Sequence, residues 1–252
     1  MPVLVTRPAR DAQRWVERLR ERGVAAEALP LLAIVPAPDA QALRLARDSL
    51  PGCAAAMFVS ANAVHGFLDQ GGAWPEGVRA WAPGPATADA LRERGVPAGA
   101  IDAPHAEASQ FDSESLWTVV AGQLGAGDRL LLVRGADATG RSQGREWLAA
   151  RLAESGVQVD VVCAYGRALP AWTAQQHALA QRAAGPDGLW LFSSSEAAAN
   201  LRTLLPGAAF GQARALATHP RIAQAVRALG FGDVRESRPA FDDVVASIES
   251  FR

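Results

Sequence analysis

Three groups of side chains in this 252-residue chain could do chemistry. The first is a single residue, Tyr165, the only tyrosine, set in the stretch Val161-Val162-Cys163-Ala164-Tyr165-Gly166-Arg167. A phenol with an ordinary pKa of about 10 keeps its proton at neutral pH and can give it to a departing group. The same side chain serves equally as a packing residue whose hydroxyl finds a partner. The second group is the loop from Arg134 to Arg145, where Arg134, Arg141 and Arg145 are interleaved with Gly135, Gly140 and Gly144. Glycines let backbone N–H groups approach an anion and guanidiniums add charge-assisted bonds. A solvated turn with surface arginines has the same composition. The third group comprises polar residues that follow short apolar runs: Thr6 and Arg7, Ser60 and Asn62, Thr87, Ser193 and Ser194, and Thr218 and His219. Any one of them reads as a helix cap. Together they recur in matching places in the chain, which points to a ligand gathered at strand ends.

What is missing narrows the chemistry. Every basic residue other than histidine is an arginine. Without lysine there is no Schiff base and no Walker A loop, while arginine suits fixed recognition of carboxylates. Cys53 and Cys163 form no C-x-x-C pair, so packing roles are expected. His65, His105, His177 and His219 lack metal-ligand spacing, and no metal is expected. A formal net charge of -1 favours neither nucleic acid nor an anionic membrane as partner. The longest apolar run, Cys53 to Val59, is too short to span a bilayer. Met1 leads straight into a strand pattern with no basic or cleavable segment, so a soluble, cytoplasmic protein is expected.

The elements that must hold these residues show a duplication. Val3-Leu4-Val5-Thr6-Arg7-Pro8, running to Arg22-Gly23-Val24, has a copy in Leu130-Leu131-Leu132-Val133-Arg134-Gly135, running to Ser155-Gly156-Val157. Met57-Phe58-Val59-Ser60 is matched by Leu191-Phe192-Ser193-Ser194. Ala80-Trp81-Ala82-Pro83-Gly84-Pro85, running to Gly95, is matched by Ala215-Leu216-Ala217-Thr218-His219-Pro220, running to Gly230. Each unit reads strand, turn, helix, glycine stop. Ala12, Trp15, Val16 and Leu19 fall on one helical face, and Gly23 then supplies a left-handed end. Leu148, Leu152 and Gly156 repeat that pattern. The stretches Ala108 to Trp117 and Arg238 to Val245 read as a further pair of helices with polar starts. Short apolar strands alternating with such helices predict an α/β protein of two pseudo-repeated lobes, each a parallel sheet flanked by helices. Its site is expected in the cleft between them.

Taken in order, the motifs resemble uroporphyrinogen-III synthase. The stretches that carry the resemblance are Val3 to Pro8, Phe58 to Val64, Gly84 to Thr87, Leu130 to Gly135, Tyr165 to Arg167 and Phe192 to Ala198. The resemblance implies an interleaved division joined by a two-stranded linker. One lobe would comprise residues 1–34 plus 169–252 and the other 38–164, with linker strands near 35–37 and 165–168. It implies a cofactor-independent lyase that removes water from hydroxymethylbilane, a linear polycarboxylate tetrapyrrole, and closes the ring with ring D inverted. It makes Tyr165 the candidate acid. Arg7, Ser60, Thr87, Arg134, Gly135, Ser194, Thr218 and His219 become candidates for binding substrate. His219 and Ile222 stand where the family's second Gly-Pro-x-Thr motif has its glycine and threonine, so Thr218 or His219 would have to substitute. A monomer is expected, with no nucleic-acid or membrane partner. On the residues alone, a non-catalytic bilobal binding protein for a small polyanion remains the alternative.

Overall fold

Each apolar triplet or quartet of the sequence becomes a short strand, and each amphipathic stretch after it a helix. The structure, a computed structural model, describes residues 2–69, 71–105, 113–137 and 146–251. Arg141 and Arg145 of the expected anion loop, and the start of the helix expected from Ala108, lie outside the described residues. The chain runs β1 (Val3–Val5), α1 (Ala9–Glu21), β2 (Ala26–Ala28), β3 (Ala33–Pro36), α2 (Ala40–Ser49), β4 (Ala55–Phe58) and α3 (Ala61–Leu68). It continues through β5 (Arg79–Trp81), α4 (Pro85–Glu93), β6 (Ile101–Asp102), α5 (Ser113–Val120), β7 (Arg129–Ala136), α6 (Glu146–Glu154) and β8 (Gln158–Ala168). It ends with α7 (Ala174–Ala183), β9 (Leu189–Phe192), α8 (Ser195–Leu204), β10 (Arg214–Ala217), α9 (Pro220–Arg227), β11 (Asp233–Glu236) and α10 (Phe241–Glu249).

Two compact units result. One comprises Met1–Ala33 with Ala168–Arg252, the other Ile34–Arg167. The first is built on a five-stranded parallel sheet in the order β11-β10-β9-β1-β2. The second holds six strands in the order β3-β8-β7-β4-β5-β6, parallel from β8 through β6. Read from the other edge, the second sheet runs β6-β5-β4-β7-β8, strand for strand the order of the first. The duplication seen in the sequence is therefore a duplication of sheet topology. Val35 and Pro36 on β3 and Tyr165 to Ala168 on β8, the stretches expected to link the lobes, belong to neighbouring strands of the second sheet.

The helices cover both faces of each sheet, as parallel strands require. In the first unit, Ala12, Val16 and Leu19 of α1 pack with Val244 and Ile248 of α10 on one face. Leu179, Leu201 and Val226, from α7, α8 and α9, pack on the other. In the second unit Leu43, Val64, Phe67 and Leu91, from α2, α3 and α4, cover the face of Ala56, Phe58, Leu131 and Val133. Leu116 and Val120 of α5 and Leu148 and Leu152 of α6 cover the face of Met57, Leu130 and Leu132. Trp15, grouped by periodicity with the core, is only partly buried at its edge. The four glycine stops, Gly23, Gly95, Gly156 and Gly230, all have positive φ.

Gly66 is required by packing instead. Gly66 lies within α3, where glycine costs about 1 kcal/mol relative to alanine. A Cβ there would stand 2.3 Å from the carbonyl oxygen of Ala164 on β8. The missing side chain lets α3 lie directly on that strand. Arg47 of α2 fixes this same C-terminal turn of α3 by donating to the carbonyls of Phe67 at 2.6 Å and Gly66 at 2.8 Å. Arg94, paired with Asp69, also contacts the Nδ1 of buried His65 at 3.1 Å. Gly66→Ala should destabilise the protein by about 1–3 kcal/mol in urea unfolding despite its better helix propensity, because the obstacle is backbone that cannot turn aside. A stability gain would show that α3 can move off β8 freely.

Candidate functional site

The strand-end residues of each unit fall on adjacent strands. In the second unit, β8, β7, β4 and β5 are consecutive in the sheet. They bring up Tyr165, Gly135 and, just beyond the last two, Ser60 and Thr87. In the first unit, β10, β9 and β1 are consecutive and lead into Thr218 and His219, Ser194, and Arg7.

Tyr165 is aimed by an irregularity. Along β7 and β8 the register pairs Arg134 with Cys163 but Gly135 with Tyr165, leaving Ala164 without an opposite residue. Such a bulge interrupts the alternation of faces. Val162 and Ala164 already face the α3 side of the sheet, and the bulge adds Tyr165 to the same cluster. The residue is buried at 7% exposure, and its phenol packs against Gly135. A Cβ on Gly135 would stand 2.4 Å from the phenol Cζ and 2.8 Å from its oxygen. The hydroxyl reaches the Ser60 hydroxyl at 3.2 Å, with either oxygen able to donate. Ser60 is in turn the N-cap of α3 and accepts from the Ala63 N–H at 3.2 Å. Three of the expected site residues, Ser60, Gly135 and Tyr165, thus form one cluster. Thr87, in the first turn of α4, is buried.

The first unit contributes a cation of unusual setting. Arg7 follows β1 on the face covered by α1, with its guanidinium carbon 4.2 Å from the centroid of the Trp15 ring. Trp15 meets Phe241 edge-on at 5.2 Å, and Arg18 lies over Phe241 at 3.8 Å. Although the residue as a whole is only partly covered, the Arg7 Nε is out of contact with solvent and has no hydrogen-bond partner among the described residues. Burial brings the Arg7 pKa down to about 10, against a smaller opposite pull from Asp11. The group stays cationic at neutral pH, with its Nε shielded from solvent.

Other expected residues are occupied by the fold. Ser194 caps α8 by accepting from the Ala197 N–H at 3.3 Å. The His219 Nδ1 caps α9 by accepting from the Arg221 N–H at 3.0 Å, and Ile222 is buried in the apolar cluster under α9. The altered motif therefore still starts a helix. Thr6 donates to the Leu191 carbonyl at 2.7 Å and is fully buried. Arg134 is partly buried on β7, its side chain on the opposite face from Tyr165 by strand alternation. Cys53 sits in the core and Cys163 is half-buried, neither in a disulfide. Among the described residues, no three His, Cys, Asp or Glu side chains gather as a metal site would need, and no helix is long and apolar enough to cross a membrane.

The role of Gly135 can be isolated because its neighbour is the tip of a side chain rather than backbone. Gly135→Ala should cost less stability than Gly66→Ala, with the Tyr165 ring yielding and its hydroxyl leaving Ser60. A crystal structure of the variant with the Tyr165 oxygen still within hydrogen-bond distance of Ser60 would contradict this.

Residues 13–246 match the model of the uroporphyrinogen-III synthase HemD family. The chain is also similar to the solved uroporphyrinogen-III synthetase of Helicobacter pylori, with a TM-score of 0.61 at 14% identity over 100% of this chain and 99% of that one. A mutant uroporphyrinogen III synthase from the extremely thermophilic bacterium Thermus thermophilus matches with a TM-score of 0.55 at 17% identity, over 100% of this chain and 97% of that one. These two likenesses bear on the fold, and the family match covers nearly the whole sequence. The chain belongs to the uroporphyrinogen-III synthase HemD family.

Proposed function

We propose that the chain closes hydroxymethylbilane to uroporphyrinogen III with Tyr165 as the acid and Arg7 as a receptor for a substrate carboxylate. The observation that carries the reading is the seating of the only phenol of the chain: a bulge aims it, Gly135 makes room for it and Ser60 holds its hydroxyl.

The chemistry asks little of the protein at the reacting bond. The lone pair of the terminal pyrrole nitrogen pushes out the hydroxyl of the hydroxymethyl group, the C–O bond breaks, and the phenol proton goes with it to make water. This leaves an azafulvene cation on the substrate and a phenolate on Tyr165. The proton lost later, as the aromatic ring is restored after closure, can return to the phenolate. The harder part is orientation, because a flexible polyanion must be folded so that ring D is attacked at the correct carbon. Fixed guanidiniums suit that work. Arg7 is one such guanidinium, lying over Trp15 and hydrogen-bonded to no described residue at its Nε. Arg134, Thr87, Thr218 and the backbone N–H groups at helix starts are further candidates for holding substrate. The proposal extends to a cytoplasmic monomer that works without a cofactor, the state expected from the sequence.

Two substitutions test the assignments. Tyr165→Phe should fold normally and lower kcat for uroporphyrinogen III, with the products oxidised and resolved as isomers; wild-type turnover in a folded variant would remove Tyr165 from the mechanism. Arg7→Met exchanges a poorly solvated cation for an apolar chain of similar length. It should leave the unfolding midpoint unchanged or higher while raising KM more than it lowers kcat. An unchanged KM would take Arg7 off the substrate.

A further inference from the structure

We infer that Ser60 is a positioning residue that stabilises the Tyr165 phenolate left when the proton is given away, an inference resting on the acid role of Tyr165. The geometry gives Ser60 two simultaneous partners. Its oxygen accepts from the Ala63 N–H at the start of α3 and lies 3.2 Å from the Tyr165 oxygen. With a lone pair engaged by the helix, the Ser60 proton is free to rotate toward Tyr165. While the phenol is neutral, either oxygen can donate. Once the phenol has lost its proton, only Ser60 can, and the bond becomes charge-assisted. The N–H groups at the start of α3 lie behind it with the positive end of the helix dipole, so formation of the phenolate polarises a chain running from the helix through Ser60 to Tyr165.

Two close contacts limit the pair's freedom to separate. Gly66 lets α3 rest on Ala164, the residue before Tyr165, so the helix that carries Ser60 is registered on the strand that carries the phenol. Gly135 fixes the ring from the other side. A serine that did no more than cap α3 would be replaceable by any good N-cap residue. A serine that must also donate to a phenolate would not.

The single tyrosine allows a direct test, because tyrosinate absorbance near 295 nm reports Tyr165 alone. The wild-type protein, Ser60→Ala, Ser60→Thr and Ser60→Asp would be titrated toward alkaline pH, and kcat measured for each with hydroxymethylbilane. Ser60→Ala should raise the Tyr165 midpoint by about one unit, the size of one hydrogen bond to a charged group, and lower kcat about tenfold. Ser60→Thr should restore both, since it keeps cap and donor. Ser60→Asp keeps the cap but replaces the donor with a negative charge, so its midpoint should rise at least as far as that of Ser60→Ala. An unchanged midpoint in Ser60→Ala, or a wild-type midpoint in Ser60→Asp, would overturn the inference. A raised midpoint in Ser60→Ala with unchanged kcat would instead overturn the acid role of Tyr165, and the catalytic part of the inference with it.

Discussion

The bulge at Ala164 decides which face of the second sheet the only tyrosine looks toward, and the rest of the candidate site is arranged around that choice. Strict alternation along β8 would place Tyr165 with Cys163, away from α3. One unpaired residue turns it onto the face of Val162 and Ala164, where α3 and β4 converge. The turn is possible because two glycines leave the required space. Gly135 is bare where the ring lies, and Gly66 is bare where α3 meets the bulged strand. Filling the first position presses on a side chain, whereas filling the second presses on backbone. The same kind of residue therefore protects the site in one place and the fold in the other.

A different constraint acts in the first unit, the cost of keeping the Arg7 cation where its Nε is shielded from solvent. Arg7 lies on the indole of Trp15, with a buried Nε that bonds to no described residue and a pKa brought down by burial. A protein selected only for stability would put an apolar side chain there. Under the proposed function, the charge is retained for a substrate carboxylate, which completes the pairing. The aromatic ladder from Trp15 to Phe241, with Arg18 at its far side, keeps the guanidinium in position without neutralising it.

Much of the architecture was legible from the residues. The apolar runs at Val3, Met57, Ala80, Leu130, Leu191 and Ala215 marked strands, and Gly23, Gly95, Gly156 and Gly230 marked helix ends because a left-handed residue favours glycine. The remaining equivalent pairs, β2 with β8 and β6 with β11, carry no legible repeat in the sequence. β2 is three residues long and β6 two, too short to carry a pattern. Ser60 and Ser194 were legible as caps, and both cap. The contact between Ser60 and Tyr165 was not, because it spans 105 positions and depends on a one-residue shift in register. Trp15 was grouped with the core by its spacing, which says nothing of a partner on the preceding strand end. His219 read as the loss of a family glycine. Its backbone is extended, a conformation open to any residue, and its ring supplies the cap.

An acid role for Tyr165 requires the phenol to be protonated for turnover. The most direct measurement is kcat for uroporphyrinogen III formation across the alkaline range, in samples whose tyrosinate absorbance is followed in parallel. That role predicts that kcat declines along the same curve on which Tyr165 loses its proton. A kcat that stays level while Tyr165 ionises would contradict it.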